Sequence, residues 1–256
     1  LREKPLFVVR KPPAEMNERD IQTAVKQLSP SQQEQFKSLR HNASGLYPSM
    51  GEAFAGNSFH IASPEGVGAK RRSQHAHGLF LLLSRFNHSC VPNATIPTTS
   101  DEGEALACIA TKDIAIGEEI TICYNPDFEA KTRHERHQAL RFQFVCDCKA
   151  CRPGTTFQRL SDMRRRLVRG LLYLSSGRDL DTIEPGPPVI ADRRLKLAAD
   201  ICEIPVSSRL IYTLLIHVLL EQEGILDEFM LDKFSSNLEA ISESFQDETN
   251  AMMASF

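Results

Sequence analysis

The sequence predicts an α+β chain: short strands and irregular loops over residues 1–153, then a helical lobe over residues 154–256. Three observations predict it. Short apolar runs bounded by Gly, Pro, Asn and Asp recur through the first 150 residues, the pattern of brief strands. After Pro153-Gly154 the apolar residues shift to helical spacing. Within that helical part, Gly177 to Pro188 is rich in Gly, Pro and Asp and reads as a linker.

Taken in order, Pro5 to Val9 reads as a strand, and residues 17–28 carry Ile21, Val25 and Leu28 at helical spacing. Ser29-Pro30-Ser31-Gln32 reads as a fresh helix start. Ser29 caps, Pro30 fits the first helical position and Gln32 completes a capping box. Phe36 and Leu39 then face the core. Residues 42–56 read as loop, Ser58 to Ile61 as a strand and residues 62–77 as loop. Gly78 to Phe86 is apolar and expected to be buried. Ala94 to Ile96 and Ala105 to Thr111 read as two strands joined by a turn at Ser100 to Gly103. Gly117 marks another turn, and Glu119 to Tyr124 reads as a strand before a helix over about 131–143. Beyond it, residues 157–175, 189–203, 207–223 and 225–246 read as helices. Leu160, Met163, Leu167 and Leu171 form one apolar face, and Leu210, Ile211, Leu214, Leu215, Val218 and Leu219 a second. Phe229, Phe234, Leu238, Ile241 and Phe245 form a third, and all three are expected to be core.

Of the 256 residues, 41% are hydrophobic and 25% charged, which excludes disorder throughout. Thirty Lys and Arg against 33 Asp and Glu give a net charge of −3. That balance argues against a protein that coats nucleic acid or is steered to a membrane. The longest uncharged run of the helical part is Leu210 to Leu220, too short for a membrane span. The mixed charges of Leu1 to Lys11 do not read as a signal peptide, so an intracellular protein, nuclear or cytoplasmic, is expected.

Seven cysteines are present, an odd number at uneven spacing. Reduced thiols are expected in such a chain. Cys146, Cys148 and Cys151 fall within six residues, a C-x-C-x2-C spacing that suits a soft tetrahedral metal such as zinc. A structural zinc site takes four ligands, so one more comes from elsewhere.

Three stretches stand together: Arg85-Phe86-Asn87-His88-Ser89-Cys90-Val91-Pro92-Asn93, Gly117-Glu118-Glu119-Ile120-Thr121-Ile122-Cys123-Tyr124, and Phe142-Gln143-Phe144-Val145-Cys146-Asp147-Cys148-Lys149-Ala150-Cys151. In this order they resemble a SET-domain protein lysine methyltransferase, of the SET-and-MYND subfamily and its fungal relatives. The resemblance implies a SET-type β-clip of short strands with a post-SET zinc site, followed by an all-helical C-terminal lobe. It implies S-adenosylmethionine as methyl donor, a lysine-bearing protein or peptide as substrate, and a structural Zn2+. It also implies that Asn87 and His88 bind the donor, that Phe144 stacks on its adenine, and that Asn57 lies near it. Tyr124 is the implied catalytic tyrosine and, with Phe142, lines the lysine channel. Cys90 is the implied fourth zinc ligand beside Cys146, Cys148 and Cys151. Cys108, Cys123 and Cys202 are left as core thiols.

The sequence also departs from that pattern. SET domains open with a Gly-x-Gly stretch upstream of a segment like Leu1 to Pro5, and here the chain begins at Leu1. The SET domain is therefore expected to be incomplete at its N-terminus. Residues 1–89 contain no cysteine, so no MYND finger lies there. Phe142 stands where close relatives often carry Tyr, which leaves the number of methyl groups added open. A monomer without nucleic-acid or membrane contact is expected. The alternative is a catalytically inactive, zinc-stabilised scaffold for protein interaction.

Overall fold

The computed structural model describes residues 1–41, 45–61, 76–97, 104–125, 127–141, 143–176 and 206–232. The described residues divide into two compact units. One lies within Leu1–His88, Pro92–Ile122 and Phe142–Phe144, the other within Ser89–Val91, Cys123–Arg141 and Val145–Phe256.

The first unit is built from strands of two to four residues and three helices. Its elements are β1 (Arg2–Glu3), β2 (Phe7–Val9), α1 (Glu18–Lys26), α2 (Pro30–Lys37), β3 (Arg40–His41), β4 (Gly45–Leu46), α3 (Met50–Ala55), β5 (Ser58–Ile61), β6 (Ala76–Leu79), β7 (Asn87–His88), β8 (Ala94–Thr95), β9 (Leu106–Ala107), β10 (Ile109–Ala110) and β11 (Thr121–Ile122). Strands β2, β6 and β5 form an antiparallel sheet in that order, with Phe7 opposite Leu79 and Phe59 opposite Gly78. A methyl added at Gly78 would lie 2.6 Å from Ile61 Cδ1 and 2.9 Å from a Phe80 ring carbon, so the middle strand has no room there. Strands β1 and β9, β8 and β10, and β3 and β4 pair antiparallel, whereas β7 and β11 pair parallel.

The helices start where their caps require. Asn17 accepts from the Arg19 and Asp20 amides while Asp20 accepts from the Asn17 amide, a reciprocal box ahead of α1. Ser29 and Gln32 do the same for α2, as the sequence predicts. Ile21, Val25, Phe36, Leu39, Phe54 and Leu79 close one core, in which the Phe7 ring stacks on Phe54 at 5.3 Å and meets Phe36 edge-on. A second core gathers Ile61, Phe80, Leu83, Leu106, Cys108 and Ile122. Each such side chain removed from water contributes about 1.5–3 kcal/mol. Beside this core the Glu3 carboxylate accepts from the backbone amides of Leu81, Leu82 and Leu83. It thereby fixes the bend into the short 3-10 turn Leu83–Arg85 that aims β7.

Several strand and loop readings change. Residues 50–55, read as loop, are helix α3, begun by Ser49, which accepts from the Glu52 amide. The run Ala105 to Thr111 breaks at Cys108 into β9 and β10, which pair with different strands. The strand expected over Glu119 to Tyr124 is confined to Thr121–Ile122. Residues 62–75 and the turn at 100–103 lie outside the described residues, except that Ala76–His77 belong to β6.

The second unit holds α4 (Arg133–Leu140), α5 (Thr156–Ser176) and α6 (Val206–Glu223). Thr132 and Glu135 form the capping box of α4. Gly224, at a φ of 73°, ends α6, and the Ile225 amide returns to the Leu220 carbonyl at 3.0 Å. Val168, Ile216 and Leu220 form the core with Ala130, Leu171 and Leu219. The apolar faces read from the sequence are only partly core. Leu160, Met163, Leu167, Ile211, Leu214, Leu215 and Val218 are exposed. The buried stripe of α5 is instead Ser161, Arg165 and Val168, and that of α6 is Thr213, Ile216, Leu220 and Glu223. A buried ion pair, described below, turns those faces inward. The helices expected over 189–203 and beyond residue 232, with Cys202, lie outside the described residues, while residues 228–232 are helical. Among the described residues no helix is long and apolar enough to cross a membrane.

Candidate functional site

Cys90, Cys146, Cys148 and Cys151 converge in the second unit, their Sγ atoms all within 4.8 Å of one another. Cys90 Sγ lies 3.5 Å from that of Cys151 and 3.9 Å from that of Cys146. A disulfide needs about 2.05 Å. Four thiolates around one ion at a Zn–S distance of about 2.3 Å stand about 3.8 Å apart along each tetrahedral edge. The observed spacings fit the second arrangement, and this donor set can hold a metal ion. Locally, the Cys148 carbonyl accepts from the amides of Cys151, at 2.8 Å, and Arg152, at 2.9 Å. That turn brings two sulfurs three residues apart to one point.

Four thiols packed this closely hold their protons unequally. Cys148 and Cys151 are pulled down, first by hydrogen bonding from Cys146, with Cys151 brought to about 6. Cys90 and Cys146 are pushed up, Cys90 chiefly by its hydrogen bond with Cys146 and Cys146 chiefly by its bond with Cys148. A cation held by Cys90, Cys146, Cys148 and Cys151 would take the place of their protons, because metal ligation requires the thiolate.

Side chains of α4 and α5 hold the peptide groups around the sulfurs. Arg133 Nε donates to the Cys151 carbonyl at 2.6 Å. His137 Nε2 lies 3.1 Å from the Cys146 carbonyl. Arg165 Nη2 donates to the Cys90 carbonyl at 2.8 Å, and its Nη1 donates to that of Phe128. Arg136, fully buried, donates to the Ala150 carbonyl and to Cys151 Sγ. No sequence signal marked Arg136 or Arg165, because one helix carrying arginines reads like another until its partners are known. Cys123 is separate from the cluster. Its thiol donates to the Asn125 carbonyl at 3.1 Å, and burial pushes it up to about 11.

The first unit carries the Asn-His stretch. Strand β7 runs parallel to β11, with Asn87 opposite Thr121 and His88 opposite Ile122. The Asn87 amide donates to Glu119 Oε1 at 2.6 Å. His88 is buried, its ring centroid 5.8 Å from that of Phe144 at a 55° tilt. Asn93, which the sequence reading quoted without a role, locks this arrangement. Its oxygen accepts from the Thr121 amide, and its nitrogen donates to Glu118 Oε1 and to the Glu119 carbonyl. Asn57 is buried and donates to the Ala53 carbonyl at 2.8 Å, closing the end of α3. Tyr124, two residues beyond β11, is 44% exposed. Phe142 lies outside the described residues.

Residues 7–125 match the SET domain. A stretch of 77 residues, 29% of this chain, is 44% identical to 18% of "Protein-lysine N-trimethyltransferase SMYD5" of Danio rerio. Over 105 residues, 39% of this chain is 40% identical to 22% of "Histone-lysine N-methyltransferase SMYD3" of Homo sapiens. Over 146 residues, 46% of this chain is 36% identical to 20% of a "Methyltransferase" of Gibberella zeae. The stretch that matches the SET domain is built of short strands and helices and is followed by a helical portion. More particularly it is SMYD-like, with a fungal methyltransferase among its relatives. Each of these matches covers less than a quarter of the relative concerned.

Proposed function

We propose that the chain is a protein-lysine N-methyltransferase, which moves a methyl group from S-adenosylmethionine to a lysine side chain of a histone or other protein. The observation that carries the reading is the parallel register that lays Asn87-His88 beside Thr121-Ile122, two residues ahead of an exposed tyrosine. The names of the relatives, lysine methyltransferases, support it.

The donor supplies an already activated methyl group, so the protein needs no metal at the reacting carbon. Its tasks are to align donor and amine and to keep water out. In this reading Asn87, His88 and Asn57 hold the donor by hydrogen bonds, and Phe144 stacks on its adenine. Tyr124 directs its hydroxyl at the transferring methyl and orients the amine. Phe142 lines the channel, whose apolar wall disfavours the ammonium and so delivers the neutral amine. Cys90, Cys146, Cys148 and Cys151 hold one structural Zn2+. Cys90 follows His88 by two residues and Cys146 follows Phe144 by two, so the ion steadies both donor-binding segments. Residues 1–153 supply the SET and post-SET parts, and residues 154–256 a helical lobe that shapes substrate choice. A monomer in the nucleus or cytoplasm accords with this role.

The test is transfer of labelled methyl from S-adenosylmethionine to lysine in a protein library, by the protein as its gene encodes it. Transfer that Tyr124→Phe abolishes while the fold is kept supports the enzyme. A folded, zinc-loaded protein that methylates no substrate contradicts it and favours the scaffold.

A further inference from the structure

Two buried arginines approach the four sulfurs, and they differ in how their charge is met. Arg165 is paired: its Nη2 lies 2.9 Å from Glu223 Oε1, and both side chains are 1% exposed. Arg136 is not paired in that way. It is fully buried, and the nearest carboxylate oxygen recorded for it, on Asp162, stands 3.9 Å away, beyond hydrogen-bond reach. Its Nη1 donates to the Lys131 carbonyl at 2.5 Å, and its Nη2 to the Ala150 carbonyl at 3.0 Å and to Cys151 Sγ at 3.5 Å. Among the described residues its Nε has no hydrogen-bond partner.

A guanidinium stays charged inside a protein, and an isolated buried charge is costly without an opposite one nearby. Carbonyl dipoles alone leave that need unmet. Besides the Asp162 oxygen at 3.9 Å, the group able to carry negative charge that Arg136 meets is the Cys151 sulfur, at 3.5 Å. Four thiolates around a divalent cation carry a net charge of −2, which itself needs compensation in a buried place. The two deficits match in sign and position.

We infer that Arg136 is a positioning residue of the cysteine centre: its fully buried guanidinium, bonded to Cys151 Sγ, is the fixed counter-cation of the four sulfurs and the metal they would hold. This role rests on the metal reading given above. It assigns work to α4, a helix that contributes no ligand, and it separates Arg136, which bonds the Cys151 sulfur, from Arg133, which bonds the Cys151 carbonyl.

The test uses the full chain loaded with Zn2+, or with Co2+ as a spectroscopic probe. Metal loss to an excess of chelator is timed, and the sulfur-to-cobalt charge-transfer band is recorded. Removing a partner of this kind costs about 10–100-fold in metal affinity. Arg136→Met is therefore expected to lose zinc about 10–100-fold faster than wild type and to shift the charge-transfer band. Arg166→Met, at an exposed position of α5, is expected to stay within a few-fold, with its band unmoved. If Arg136→Met does not fold, Arg136→Gln, which keeps a donor but no charge, is read by the same criteria. Wild-type retention and an unmoved band in the neutral variant overturn the role of Arg136 while leaving the metal centre standing. A wild-type chain that takes up neither Zn2+ nor Co2+ overturns the centre, and this role with it.

Discussion

Arg165 Nη2 and Glu223 Oε1 lie 2.9 Å apart, 58 residues from each other in sequence, with both side chains 1% exposed. Glu223 also accepts from Ser161 and from Arg164 Nε. Arg165 Nη2 also donates to the Cys90 carbonyl and Nη1 to that of Phe128, so one buried pair joins α5, α6 and the cysteine cluster. Glu223→Ala would strand the Arg165 charge, and breaking such a pair costs about 3–5 kcal/mol. Urea unfolding is expected to show that loss. The double variant Arg165→Met with Glu223→Met should be destabilised by less than the two single changes together, because no charge is then left alone. A cost below about 1 kcal/mol for Glu223→Ala would refute the pairing.

Asn93 makes three side-chain hydrogen bonds, and all of them reach the segment that carries β11. Asn93→Ala leaves the partly buried Thr121 amide without this acceptor, at a cost of about 1 kcal/mol. The β7–β11 register then loosens. Hydrogen exchange at the Thr121 amide is expected to speed up, and donor affinity to fall together with it. Unchanged exchange would mean that backbone pairing alone holds the strands.

Glu118 accepts from the Ala115 amide and from Asn93, and these bonds hold its carboxyl below the ordinary value of 4.5. A carboxylate depressed in the folded state contributes stability above its unfolded value. That contribution is lost as pH falls through the folded one. The turn over 115–121 is therefore expected to loosen in acid, below about pH 4.5. Glu118→Gln should remove that part of the acid slope in an unfolding-versus-pH series while leaving the neutral fold intact. An identical slope in both proteins would rule the linkage out.

Local signals were the ones that read well in the sequence. The Ser29 and Gln32 box needs only four residues, and it forms as read. The C-x-C-x2-C spacing anticipated a cluster, and the family resemblance added Cys90, whose sulfur lies 3.5 Å from that of Cys151, 61 residues away. Non-local choices read poorly. Helix α3 contains Gly51 and ends at Gly56, residues that signal loop, yet the Ser49 cap and burial of Phe54 carry it. On α5 the apolar stripe Leu160, Met163 and Leu167 looked like the inner face. The helix turns Arg165 inward because Glu223, the Cys90 carbonyl and the Phe128 carbonyl await it there. Hydrophobic periodicity cannot report a partner that lies on another helix. Asn93 went unassigned for the same reason: its three bonds all cross to residues more than 20 positions away.

The central physical claim is that sulfurs from residue 90 and residues 146–151 form a single metal centre. Elemental analysis of the reduced, purified chain tests it most directly. The account predicts about one zinc per chain, as four thiolate ligands require, with the metal lost in Cys148→Ser. A reduced wild-type chain free of metal, or a Cys148→Ser chain that retains its zinc, would contradict it.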